Sequence, residues 1–243
     1  MASLKDFRVL SFDVYGTLID WETGVLAALQ PLLSAHPATA DIPRAQLLSH
    51  LHELCTAQQL ATPELPYADL LSTVHPQLAA RLGLNDPPPP PAQSQAFGAS
   101  VGDWPAFPDT VAALRRLAAR YKLVVLSNVD RASFGRTCAG PLAGAPPFDL
   151  VVTAQDVGAY KPSPRNFEAV LGAVRERFGA ERAQVLVTAQ SQFHDHHPAR
   201  ALGLRSAWIV RPGAVMGNRE EEVWDWRFDT LGDMADAVEA ELA

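Results

Sequence analysis

The chain has 243 residues, 48% of them hydrophobic, enough to bury one full core or one core plus a modest inserted module; two domains is the upper limit. A formal charge of −7, with Lys and Arg scattered along the sequence, leaves no basic footprint for a nucleic-acid backbone. Small anionic molecules are not excluded, because a few local cations in a pocket outweigh a negative average.

The two cysteines, Cys55 and Cys138, lie in different segments and form no CxxC pair, which suits reduced thiols in an intracellular protein. The N-terminal MASLKDFRVLSF has one charged turn and a short apolar run, without the long apolar region and small-residue cleavage site of a signal peptide. No segment approaches the roughly 20 apolar residues that span a bilayer. The expectation is a cytoplasmic protein with no membrane partner.

In chain order, FRVLSF (7–12) reads as a short strand that delivers Asp13 to its carboxyl edge, where VYGTLID breaks the pattern with a glycine. From residue 20 to about 107 the segments VLAALQPLL, RAQLLSHLHELCTAQQL and YADLLSTVHPQLAARLGL read as helices, followed by a proline run at 87–91 that predicts a stiff, non-helical connector. Beyond it, FPDTVAALRRLAARY carries Val111, Leu114, Leu117 and Ala118 on one helical face, with Pro108 and Asp109 as its start signal. The strand KLVVLSN (122–128) comes next. FDLVVT then leads to a helix over Pro164–Phe178, AQVLVTA to a helix at Pro198, and RSAWIV to a final helix over Leu231–Leu242, expected against the sheet. Strands alternating with helices predict an α/β fold: a Rossmann-like, doubly wound parallel sheet as core (1–19 and 108–243) with an inserted helical cap (20–107).

Open parallel sheets bind ligands just outside the carboxyl ends of their strands. Four such ends carry suggestive residues: DVYGT with Asp13, Tyr15 and Thr17; LSN with Ser127 and Asn128; YKPSPRNF with Lys161; and AQSQFHDHHPARALG with Gln190, Gln192, His194 and Asp195. Each alone is weak, since a lone Asp after a strand is usually a cap and a lone Lys before Pro is usually a solvated surface group. Together, in this order, they are specific. The chain resembles the haloacid dehalogenase superfamily, and within it the L-2-haloacid dehalogenase type, over nearly its whole length. The resemblance implies that Asp13 is a nucleophile forming an ester with its substrate, that Thr17 and Ser127 hold a carboxylate, and that Lys161 steadies negative charge. It also implies that Asp195 supports Lys161 or orients water. A carboxylate attacks when donors position it without neutralising it, a task suited to Lys161 and the Ser127 hydroxyl.

Phosphatases of this superfamily place a second Asp two residues after the nucleophile to protonate the departing alkoxide, and here that place is Tyr15. General acid catalysis is worth roughly 10²- to 10⁴-fold. Its loss disfavours phosphomonoester hydrolysis, whereas a halide leaves without a proton. The family implies a small carboxylate substrate and no cofactor; Mg²⁺ is left open and disfavoured, because Tyr15 replaces a ligand.

The chain also departs from the dehalogenase pattern. Leu48, not Arg, falls near the position of the cap Arg that receives the halide, with Arg44 close by; Phe167 stands for a Tyr; and QSQFHD stands for SSNAWD. His194 is a candidate acid, base or substrate contact. The His194, His196, His197 run does not match the i, i+4 zinc spacing, so no metal site is assigned to it. Ring opening of a strained cyclic acid such as an epoxide, a phosphatase using another acid, and a non-catalytic binding protein remain as alternatives. The apolar cap helices are equally open to a homodimer interface.

Overall fold

The computed structural model describes residues 3–36, 39 and 41–242. Six strands, β1 (Val9–Phe12), β2 (Lys122–Ser127), β3 (Leu150–Thr153), β4 (Val185–Ala189), β5 (Arg205–Ile209) and β6 (Trp226–Phe228), form one parallel sheet in the order β3-β2-β1-β4-β5-β6. Alternate residues of each strand serve opposite faces, as pleated geometry requires. On β2, Leu123 and Val125 join a cluster with Leu114 and Leu117 of α5 (Thr110–Ala118), whereas Val124 and Leu126 join Phe167, Val170 and Val174 of α6 (Pro164–Phe178). Both faces are therefore covered, and the central strands read as near-continuous apolar runs for that reason.

Between β1 and α5 the regular elements among the described residues are helical: α1 (Trp21–Ser34), α2 (Arg44–Ala61), α3 (Tyr67–Arg81), α4 (Pro91–Ala99) and a 3₁₀ turn, Ser100–Asp103. The chain leaves and re-enters the sheet layer at adjacent points, with Asp20 N–H donating to Pro105 O (2.8 Å) and Phe107 N–H to Leu18 O (3.1 Å). Asp20 caps α1 by accepting from Thr23 N–H at 3.1 Å, so this helix starts four residues before the apolar run VLAALQPLL.

Several boundaries differ from the sequence reading. β1 begins at Val9; Phe7 lies outside the pairing but is buried edge-on to Trp226 at 5.5 Å. The proline run is not wholly non-helical, because Pro91 opens α4, a first-turn position where the missing N–H costs nothing. β6 is three residues long, too short to display a period. The final helix, α7 (Leu231–Leu242), packs Leu231, Met234, Ala235 and Val238 into the same cluster as α5, and Arg116 of α5 pairs with Asp236 and Glu239 on it. No helix among the described residues is long and apolar enough to cross a membrane.

Candidate active site

The strand order reverses at β1, whose neighbours β2 and β4 feed connections in opposite directions, and a crevice opens beyond the carboxyl ends of these three strands. Asp13 is the residue immediately after β1, its N–H still donating to Thr188 O of β4 at 3.1 Å. Behind it the chain turns tightly. Val14 O accepts from the N–H groups of Thr17, Leu18 and Ile19 (3.2, 2.7 and 2.9 Å), and Gly16 adopts φ +105°, a conformation side chains disfavour. The turn carries Thr17 back beneath Asp13, where its hydroxyl donates to Asp13 Oδ2 at 2.8 Å and accepts from Gln190 N–H at 2.9 Å.

The other carboxylate oxygen meets Lys161. Its Nζ donates to Asp13 Oδ1 (2.8 Å), Asp195 Oδ1 (2.7 Å) and Leu126 O (3.0 Å), which uses all three ammonium hydrogens. Lys161 is 1% exposed. Burial disfavours its charge, but the two carboxylates outweigh that and raise its pKa. Asn128, just beyond β2, fixes the Lys161 backbone at both ends: its Oδ1 accepts from Lys161 N–H (2.6 Å) and its Nδ2 donates to Lys161 O (3.1 Å). Burial pushes the Asp195 carboxyl up, with Lys161 opposing. Its Oδ2 is buried with no partner among the described residues.

After β4 the chain winds through a wide turn, Gln192–His196, capped by Ser191, whose hydroxyl accepts from His194 N–H at 3.0 Å. The His194 ring stands with Nδ1 3.2 Å from Ser191 Oγ. Burial, helped by Lys161, pushes its pKa down to about 3, so the ring is neutral. The neighbouring histidines serve other ends. His196 bridges Ser206 Oγ and Ala189 O, both at 2.9 Å, and His197 Nε2 bonds Glu221 O at 2.9 Å.

A cavity lies between this crevice and the helical insertion. The sheet side lines it with Asp13, Tyr15, Ser127, Asn128, Lys161, Gln190, Ser191 and His194, and with Met216 and Gly217 from the loop after β5. Facing them are Trp21 of α1, Leu51, His52, Cys55, Thr56 and Gln59 of α2, and Tyr67 of α3. The Ser127 hydroxyl is buried with no partner among the described residues, leaving it free for a ligand.

Two sequence expectations need correction, at Thr17 and at Gln192. Thr17 does not line the cavity; it is fully buried and its hydroxyl is taken up by Asp13 and Gln190, so it positions Asp13 rather than touching a ligand. Gln192 is also absent from the cavity, its Oε1 accepting from Val223 N–H at 2.9 Å. Asn128 and Gln190 do line it, but their amides are engaged, with Lys161 and with Met216 O and Asn218 respectively. Asp195 reaches Asp13 only through Lys161. Leu48 is buried in the core, and Arg44 is paired with Glu22 at 2.7 Å, facing a different hollow. The α2 face at 52, 56 and 59 escaped sequence reading, although a polar i, i+4, i+7 stripe beside Leu48, Leu51 and Cys55 is its signature.

Tyr15 presents its ring to the cavity while its hydroxyl bonds Thr137 Oγ1 at 2.9 Å, and burial raises its pKa well above the usual phenol value. Lys161 Nζ already fills the space between the two carboxylates, and no group of three or more His, Cys, Asp or Glu among the described residues stands ready to hold a metal.

The sequence matches a family model described as haloacid dehalogenase-like hydrolase over residues 7–188. No curated protein matches it. Among solved structures it is similar to an L-2-haloacid dehalogenase (27% identity, TM-score 0.74, covering 96% of this chain and 99% of that one). It is also similar to the L-2-haloacid dehalogenase of Xanthobacter autotrophicus with chloropropionic acid covalently bound (21% identity, TM-score 0.75, 96% and 98%). A third is a HAD-hydrolase of Bacillus subtilis bound to magnesium (15% identity, TM-score 0.72, 96% and 99%).

Proposed function

Since the chain belongs to the haloacid dehalogenase-like hydrolases, we propose that it hydrolyses a small 2-substituted carboxylic acid, a 2-haloacid being the nearest class, through an ester on Asp13. The observation that carries this reading is the Asp13 carboxylate held from both sides, by Lys161 at Oδ1 and Thr17 at Oδ2, each at 2.8 Å, at the floor of the cavity. Such clamping leaves lone pairs directed at the cavity while fixing the angle of attack, the geometric condition for efficient displacement.

Asp13 attacks the carbon next to the substrate carboxylate, an Asp13 oxygen–carbon bond forms as the carbon–halogen bond breaks, and halide departs with the electron pair. The substrate carboxylate meets the free Ser127 hydroxyl. Water then adds to the ester carbonyl, and Lys161 stabilises the oxyanion it forms; collapse breaks the bond between the acyl carbon and the product oxygen, which takes a proton originating from the water, so that the 2-hydroxy acid leaves, the Asp13 carboxylate is restored and the remaining proton passes to solvent. Asp195 keeps Lys161 charged and aimed. The insertion, residues 20–107, acts as the cap that excludes bulk water. No metal takes part in either step.

Two alternatives lose ground on particular atoms. A phosphatase needs an acid where Tyr15 stands, and that hydroxyl is committed to Thr137. Ring opening through proton donation by His194 needs a charged imidazole, which burial disfavours. The proposal is tested with L-2-chloropropionate in the presence of a chelator. The wild type releases chloride and Asp13→Asn releases none; equal release by both proteins, or none by either, rejects it.

A further inference from the structure

The cavity carries little positive charge for a site that expels an anion. Lys161 is the sole Lys or Arg among the described residues lining the cavity, and its hydrogens are all committed at the Asp13 end. Among the described residues the insertion contributes no Lys or Arg to the cavity lining; its Arg44 is held by Glu22 in a separate hollow with Arg211. What it brings is His52 of α2, whose ring meets His194 across the cavity, centroids 6.0 Å apart and nearly edge-to-face.

From this geometry we infer that His52, together with His194, receives the leaving group by N–H donation, one imidazole from each side of the cavity, and so sets which leaving groups the site accepts. The inference rests on the 2-haloacid reading above. Burial lowers both imidazole pKa values, His52 against the opposing charge of Glu53 and His194 alongside Lys161 and Arg219, so the pair acts as neutral donors. No proton is transferred: the carbon–halogen pair leaves as halide, and the N–H groups share its charge. Trp21, Leu51 and Tyr67 supply the surrounding wall.

Neutral donors and a cation select differently. A hydrogen bond is worth most to the smallest, strongest acceptor, and fluoride, the poorest leaving halide, depends most on donation as its charge develops. A cation assists every halide.

The test compares wild type, His52→Phe and His52→Gln on 2-fluoro- and 2-bromopropionate, with bromide binding to the resting proteins measured by calorimetry. We expect His52→Phe to lose about 10- to 100-fold in kcat/KM on the fluoro acid and only a few-fold on the bromo acid, with His52→Gln recovering part of the fluoride loss, on the scale of one donor in a desolvated site. His52→Phe should also weaken bromide binding. An unchanged fluoride-to-bromide ratio in His52→Phe, or no recovery in His52→Gln, overturns the inference while leaving the Asp13 reading standing. Bromide binding that depends on His52, with no halide release by wild type from either acid, overturns the haloacid reading and keeps the anion subsite.

Discussion

His196 illustrates how a residue beside the site serves the fold rather than the chemistry. Its ring is fully buried, with both nitrogens engaged by Ser206 and Ala189, and burial lowers its pKa to about 4. An unfolded histidine titrates near 6.5. Between those values the unfolded chain takes up a proton that the folded chain refuses, so stability is full above about pH 6.5 and falls as pH drops toward 4, by up to about 3 kcal/mol. His194, also lowered, acts in the same direction, and Asp195, raised by burial, acts in the opposite one. Comparing variants isolates His196: the urea midpoint of wild type should fall more between pH 7.5 and 5 than that of His196→Gln. Identical pH dependence in the two would contradict this account.

At the scale of elements, the site depends on α2 and α3 being held over the sheet, and α3 in turn packs closely on α4. Gly98 makes that approach possible: a Cβ there would stand 2.1 Å from Ala68 O and 2.1 Å from Ser72 Oγ. Ala68 O is backbone and cannot swing away. Gly98→Ala should therefore cost about 1–3 kcal/mol through overpacking, despite the helix propensity it gains. Thermal unfolding checks it, and an unchanged or raised Tm would contradict the close packing. Such contacts were not legible in the sequence, because the i-spacing of AQSQAFGA says nothing about which helix it meets. What was legible followed from period and order. The alternation of apolar strands and amphipathic helices fixed the parallel sheet, and carboxyl-end placement brought Asp13, Ser127, Lys161 and His194 to one cavity. The places of Thr17 and Gln192 were not legible, because strand-end position does not tell whether a side chain turns to a ligand or to neighbouring protein groups. His52 was missed because its partner, His194, lies far away in the chain and only the fold of the insertion unites them.

For the whole molecule, the sheet supplies a clamped carboxylate and the insertion supplies a mixed roof, Trp21, Leu51, Cys55 and Tyr67 beside the polar stripe of α2, so the cavity is shared by both layers. The central claim is that Asp13, not water, attacks carbon first. A single turnover with protein in excess over L-2-chloropropionate in ¹⁸O-water separates the two routes. If Asp13 attacks, the hydroxyl of the 2-hydroxypropionate product carries an unlabelled oxygen from the carboxylate. Water then opens the ester, and one ¹⁸O appears in the peptide that contains Asp13. Labelled product with an unlabelled Asp13 peptide would mean direct attack by water and would contradict the account.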